Sequence, residues 1–237
     1  MPAAINLNIA RFGAVDYAAA LELQSALVAA RMRDEIADTL LLLEHPHVYT
    51  LGRGADERFL TNPPSDVPIY RVSRGGEVTY HGPGQLVGYP ILKLEGPDRD
   101  VIRYLRKLEQ ILINAFARYG IAARRREKLT GVWVGDEKIA SIGVGLRRWV
   151  TLHGFAINVA TDLSFFERIV PCGIGGCRMT SIAALGYPDI SLAAFTAIVE
   201  SESAAGFGHR QLRYVDPREI WRLVDSPHDA LAVLYHG

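Results

Sequence analysis

A cysteine thiolate attacks esters and thioesters well once its pKa has been lowered. Cys172 sits in Pro171-Cys172-Gly173, with Gly175 and Gly176 close behind. A rigid residue before it and flexible ones after it suit a thiol presented at a loop tip. Cysteine is also among the residues most often buried for packing alone, so the local pattern leaves both readings open. Cys177 is followed by Arg178-Met179-Thr180 without turn chemistry and reads as structural. Two cysteines with no histidines paired at ligand spacing match no zinc pattern, and no metal is expected.

Lys138 is the second candidate. It follows Gly135-Asp136-Glu137 and opens an apolar strand, Ile139-Ala140-Ser141-Ile142-Gly143. One reading is a charge at a hairpin end, pointing to water. The other is a buried ammonium, which would need an anion, and a nearby thiolate would serve. Each would then shift the other's pKa by charge and desolvation. His45, His81 and His153 each read more readily as satisfied core or turn histidines than as functional groups.

These residues need elements to position them. Residues 74–92 are the most distinctive: a glycine pair, Val78-Thr79-Tyr80 leading to His81, a Gly82-Pro83-Gly84 turn, and an apolar run. Valine, threonine and tyrosine favour strand, and Gly-Pro-Gly marks a tight turn. The pattern is a loop, a short strand, a turn and a second strand. It fits an ordinary hairpin, or a pocket wall of bare backbone that lets a ligand approach closely. Neither a dinucleotide fingerprint nor a P-loop occurs.

Elsewhere, residues 5–12 alternate with the strand period, and Asp16 can cap a helix to about residue 33. Residues 39–43 read as a buried strand, 47–51 and 69–73 as further strands. Residues 98–120 are the clearest helix, with Leu108, Leu112 and Phe116 at helical spacing and Gly120 as a stop. Residues 131–134 and 138–146 flank Gly135-Asp136 as a hairpin, and 150–159 follow. Asp189-Ile190-Ser191 can cap a helix to about residue 199. Residues 213–215 suggest a strand and 217–223 a short helix. Many strands in antiparallel order with two or three long helices give an α+β fold, a mixed, largely antiparallel sheet flanked by helices. Residues 1–204 are expected to form the catalytic domain, with 205–237 a C-terminal appendage of it.

The chain has 237 residues, 49% of them hydrophobic, enough for a substantial core. Lys+Arg and Asp+Glu stand at 26 each, so no basic footprint argues for nucleic acid. Arg124-Arg125-Arg126 reads as a solvated loop or a docking patch for an acidic partner. No secretory signal or run long enough to span a membrane is seen, and a cytoplasmic location with reduced thiols is expected.

Six blocks, in order, resemble the lipoyl(octanoyl) transferases of the lipoate/biotin ligase fold superfamily. They are Glu44-His45-Pro46 with Val48-Tyr49-Thr50; Arg74-Gly75-Gly76-Glu77-Val78-Thr79-Tyr80-His81-Gly82-Pro83-Gly84-Gln85; Gly131-Val132-Trp133-Val134; Lys138-Ile139-Ala140-Ser141-Ile142-Gly143; His153-Gly154-Phe155-Ala156-Ile157-Asn158; and Pro171-Cys172-Gly173. They cover roughly residues 40–181, and the second is long and specific. Ala140 stands where some relatives carry cysteine, a position without a catalytic part.

The resemblance implies a biotin/lipoate ligase-like catalytic domain that moves an octanoyl group from octanoyl-acyl carrier protein to one lysine of a lipoyl domain. The acceptors would be glycine cleavage H protein or the E2 subunits of 2-oxoacid dehydrogenases. On this pattern Cys172 holds the acyl group as a thioester and Lys138 lowers its pKa. Arg74, Gly75, Gly76, Glu77, Val78, Thr79, Tyr80 and His81, with Ser141, Ile142, Gly143 and Gly154, Phe155, Ala156, would wall the acyl pocket. Thioester exchange is nearly isoenergetic and amide formation downhill, so no cofactor and no ATP are expected. Two alternatives stand beside it: an ATP-dependent lipoate ligase on the same fold, which would not need Cys172, and a non-catalytic module that docks lipoyl domains.

Overall fold

A computed structural model describes residues 6–170 and 177–224. Among them, two sheets carry the fold. The larger runs in the order β12 (Gln211–Tyr214), β1 (Asn6–Ala14), β2 (Thr39–Glu44), β6 (Gln85–Ile91), β10 (Val150–Asn158), β9 (Glu137–Arg147), β8 (Leu129–Val134), β7 (Ala123–Arg126), and β11 (Arg178–Met179) also pairs with β9. From β2 to β7 every pairing is antiparallel, whereas β12, β1 and β2 run parallel, as do β11 and β9. The smaller sheet is β4 (Ile69–Arg71), β3 (Val48–Leu51), β5 (Val78–His81). The fold is thus α+β with a mixed, mostly antiparallel sheet.

Both faces of the large sheet are covered, which explains the wholly apolar run in β2. Leu40 and Leu42 face a core shared with helices α2 (Val101–Ala117) and α3 (Leu192–Phe207). Leu41 and Leu43 face the opposite core under α1 (Tyr17–Met32). A strand buried on two sides loses the apolar–polar alternation of a half-exposed one. Asp16 caps α1 by accepting from the Ala18 and Ala19 N–H groups, and Asp100 does the same for α2 at Ile102 and Arg103. The apolar stripe of α2, Tyr104, Leu108, Ile111, Leu112, Ala115 and Phe116, is buried against the sheet.

Four sequence expectations change. Residues 74–92 contain two strands but no hairpin. β5 pairs with β3 in the small sheet, while both edges of β6 are taken by β2 and β10. The turn between them is held from elsewhere: the Gly84 N–H donates to Glu44 Oε2 at 2.7 Å, and its carbonyl accepts from the Ala160 N–H at 2.9 Å. The chain therefore steps from one sheet to the other at His81. Second, Arg124–Arg126 is no loop but part of edge strand β7, where Arg126 lies 5.2 Å over the Trp133 ring. Third, α3 continues to Phe207, eight residues past the expected stop at 199, and ends at Gly208 with φ +80°. Alanines and serines late in this helix gave no strong periodicity to read. Fourth, its cap is Ser191 alone, accepting from the Ala194 N–H. At the C-terminal side, β12 joins the large sheet beside β1, and α4 (Pro217–Trp221) follows it.

Candidate active site

Lys138 is the second residue of β9 and only 5% exposed, so its side chain is buried rather than turned to water. Gly131 on the neighbouring strand makes the room. A Cβ there would lie 2.5 Å from Lys138 Cε and 2.7 Å from the Ala140 carbonyl oxygen, and its φ of +130° is one that side chains rarely adopt. The lysine stem therefore runs along β9 from its own position to the level of Ala140. Its ammonium also stands 5.8 Å from the Trp133 ring centroid.

Cys172, with Pro171 and Gly173, lies outside the described residues. The chain before it is tied at Val170, whose N–H donates to the Phe59 carbonyl at 2.8 Å. The chain after it is described from Cys177, which is half-buried. Arg178 and Met179 then pair in parallel with Glu137 and Lys138, and the Thr180 N–H donates to the Lys138 carbonyl at 2.9 Å.

A cavity of about 300 Å³ opens between the two sheets, at the small end of the range for small-molecule sites. Lys138 lines it. So do Arg74, Gly76, Glu77, Val78, Thr79 and His81 on one side, and Ser141, Ile142, Gly143, Gly154, Phe155 and Ala156 on the other. Of the expected wall, Gly75 and Tyr80 are not part of the lining. Gly75 instead ties the loop to β9, its N–H donating to the Val144 carbonyl at 2.9 Å. Tyr80 points to a separate aromatic cluster, stacked on Phe165 with centroids 4.8 Å apart and hydrogen-bonded through its hydroxyl to His47 Nδ1 at 2.6 Å.

Arg74 folds back on its own loop. Its Nη1 donates to the Gly75 and Glu77 carbonyls at 3.1 and 2.9 Å, and Nη2 to the Thr50 carbonyl and Oγ1, both at 2.8 Å. A guanidinium matched to four oxygens holds residues 74–77 in one shape against β3. Burial is the largest influence on its own pKa and lowers it.

The three histidines flagged in the sequence are all buried, and all are neutral at pH 7. Burial pushes His45 down to about 4 and His81 and His153 down to about 3. His81 is fixed by its network. The Gln85 amide nitrogen donates to the Tyr80 carbonyl and to Asn158 Oδ1, so Gln85 Oε1 must accept, and His81 Nδ1–H donates to it at 2.8 Å. This tautomer, assigned from the hydrogen bonds, leaves Nε2 with a lone pair, so His81 accepts there and cannot donate to an oxyanion. The Asn158 amide nitrogen in turn donates to the Thr180 carbonyl at 3.0 Å, which ties this wall to the strand beside Lys138. His45 donates from Nδ1 to the Val15 carbonyl and accepts at Nε2 from the Tyr89 hydroxyl, at 2.6 and 2.7 Å.

The lining also includes Tyr17, Tyr89, Lys128, Leu129, Thr130 and His153. Only His153 stood out in the sequence. Tyr17 sits one residue past a helix cap and Tyr89 inside an apolar strand, so both read as core. Tyr17 stacks on His81 at 5.9 Å, and burial raises its hydroxyl to about 12. A buried lysine beside a cavity walled in part by glycine backbone and apolar side chains can take an acyl chain with a reactive carbonyl at one end.

Residues 16–204 match the lipoyl protein ligase A/B catalytic domain. The chain is 56% identical to an octanoyltransferase of Solibacter usitatus over 186 residues, which cover 76% of this chain and 84% of that protein. It is 50% identical to an octanoyltransferase of Geobacter metallireducens, with 77% and 85% covered. Among solved structures, it resembles a bipartite lipoate protein ligase from Thermoplasma acidophilum, with a TM-score of 0.71 at 16% identity, covering 94% of this chain and 93% of that one. Lipoate-protein ligase A bound with ATP gives 0.70 at 15% identity, with 93% and 94% covered. These two likenesses are of fold.

Proposed function

The chain belongs to the lipoyl protein ligase A/B catalytic-domain family, and we propose that it is an octanoyltransferase working through an acyl-thioester on Cys172. The sequence relationship carries the activity, since relatives at 48–56% identity over most of the chain are octanoyltransferases. The ligase alternative has only a fold-level likeness behind it. What supports the mechanism is the burial of Lys138 at the edge of an acyl-sized cavity, beside the strand on which the described chain resumes after Cys172.

In the first step the Cys172 thiolate attacks the thioester carbonyl of octanoyl-acyl carrier protein. A new C–S bond forms, the old one breaks, and the carrier leaves as its thiol after taking a proton. The Lys138 ammonium stabilises the thiolate before attack and supplies that proton. In the second step the amine of the lipoyl-domain lysine attacks the Cys172 thioester. Lys138, now short of a proton, accepts the one the incoming amine must lose. The amide forms and the thiolate returns. Each oxyanion is met by backbone N–H donors near Gly143 or Cys172. Burying the alkyl chain contributes about 0.8 kcal/mol per methylene. Glycine cleavage H protein and E2 lipoyl domains are the acceptors, in the cytoplasm.

The test is transfer without ATP. Purified enzyme with octanoyl-acyl carrier protein and apo-lipoyl domain should modify one lysine of the domain. Modification that depends on ATP and free octanoate, and survives Cys172→Ser, would establish the ligase chemistry instead.

A further inference from the structure

One position on the edge of β9 is left unpaired at the cavity. The β9–β10 hairpin turns through Arg148 and Trp149, with φ of +45° and +65°. In such a two-residue turn the flanking pair, here Arg147 and Val150, exchanges hydrogen bonds. Main-chain groups of an antiparallel strand point alternately to its two edges. Ser141, Gly143 and Gly145 therefore bond to β10, while Ala140, Ile142 and Val144 present N–H and C=O to the other edge. There Ala140 pairs with Val132, and the Val144 carbonyl accepts from the Gly75 N–H at 2.9 Å. Ile142, between them, has no strand opposite it on that edge among the described residues.

The gap arises at Gly131. Its φ of +130° and its N–H bond to Glu109 Oε1 turn β8 away from β9 beside Val132, so Thr130 does not pair with Ile142. Leu129 and Thr130 line the cavity from across the gap, and Ser141, Ile142 and Gly143 line it from β9. The Ile142 side chain belongs to the core shared with α2 and α3, so this residue meets the cavity through its main chain. It is 8% exposed, whereas Gly76, Lys128 and Thr130 are exposed, which puts the cavity mouth on this edge. A buried N–H and C=O without partners are costly unless a ligand meets them.

A folded domain cannot bring its own main chain to so buried a residue, but a flexible arm can. Acyl carrier proteins hold their thioester on a pantetheine arm, with an amide two carbons from the sulfur. The Lys138 stem reaches the level of Ala140, and Ile142 lies two residues on, about 7 Å at roughly 3.3 Å each. From thioester carbon to amide nitrogen is four bonds, about 5 Å extended, given bonds of about 1.5 Å. A hydrogen bond of about 2.9 Å spans the rest.

We propose that the unpaired main chain of Ile142 docks the carrier arm, its carbonyl accepting from the N–H of the amide nearest the sulfur. This rests on the octanoyl-transfer reading. The arm lies along the edge of β9 between Ile142 and Thr130, and the acyl chain lies over the face of Ser141 and Gly143. The thioester is thereby held beside Lys138 before attack.

The experiment loads carrier protein with octanoyl on the natural arm, on an arm with an ester in place of the amide nearest the sulfur, and on an arm with an ester in place of the far amide. Each ester exchanges one N–H for an oxygen. The readout is the second-order rate of Cys172 acylation in a single turnover, divided by the rate of the same donor with free N-acetylcysteine, so that intrinsic thioester reactivity cancels. The near ester should lower this ratio at least tenfold, and the far ester less than threefold. A near ester that acylates Cys172 as fast as the natural arm would overturn the docking while octanoyl transfer stood, and would leave the gap to the acceptor's chain. Equal losses from both esters would also overturn it, since recognition would then be spread along the arm. Absence of octanoyl transfer from the natural arm would overturn the underlying reading as well.

Discussion

Lys138 and Arg74 are both buried cations, yet they do different work. Arg74 spends four donors on the oxygens of Thr50, Gly75 and Glu77 and so shapes a wall. Lys138 lies against Gly131 with its amine at the cavity, where it can pair with a thiolate. Lys138→Ala should therefore move the pH midpoint of Cys172 alkylation by iodoacetamide up toward about 8.5, the free-thiol value, with peptide mapping separating Cys172 from Cys177. An unchanged midpoint would remove Lys138 from that role. The two catalytic candidates were visible in the sequence because cysteine beside proline and glycine, and lysine opening an apolar strand, are unusual for their surroundings. Tyr17 and Tyr89 were not, because an aromatic in an apolar run has the same appearance whether it faces a core or a cavity. His81 was visible as a group but not as a tautomer. Its proton position depends on Gln85 and Asn158, which only the fold brings together.

The elements that hold the site are joined by few polar groups. Glu109 on α2 is fully buried and accepts from Arg106 Nη1 at 2.7 Å, from Arg125 Nε on β7 at 3.0 Å, and from the Gly131 N–H on β8 at 3.3 Å. It thus ties a helix to two strands at the glycine that accommodates Lys138. Glu109→Ala leaves the buried Gly131 donor unmet and should cost about 1–3 kcal/mol, read as a lower urea midpoint with an unchanged slope. A midpoint equal to the wild type's would show the three contacts to be dispensable. Periodicity and caps made α1, α2 and most strands legible, since those signals are local. The step from β5 to β6 between sheets was not, because pairing partners are chosen by long-range packing and a Gly-Pro-Gly turn serves either outcome. The basic run in β7 was also obscured. Charge suggested a loop, whereas Trp133 and Glu109 on neighbouring elements accept two of its arginines.

At the scale of the molecule, equal numbers of basic and acidic residues leave stability to specific buried groups. His45, His81 and His153 have folded pKa values near 4, 3 and 3, lowered by burial from 6.5. The unfolded chain therefore binds more protons than the folded one between about pH 6.5 and 3. Stability is fully present above pH 6.5 and falls as pH drops through that window, by at most about 4 kcal/mol per pH unit for three groups. Asp38 adds to the loss at the acid end. Burial raises its pKa, but hydrogen bonds from His209, Arg31 and the Lys93 N–H outweigh this and leave it lowered. Urea midpoints should fall steeply from pH 7 to pH 5. A flat profile would mean that the histidines take up protons in the folded state. No described helix is long and apolar enough to cross a membrane. The central claim, covalent transfer through Cys172, is tested most directly by intact-protein mass spectrometry after mixing enzyme with octanoyl-acyl carrier protein without ATP. Wild type should gain one octanoyl group, mapped to Cys172, and lose it when apo-lipoyl domain is added, while Cys172→Ser gains none. An unmodified wild type that still octanoylates the domain would contradict the account.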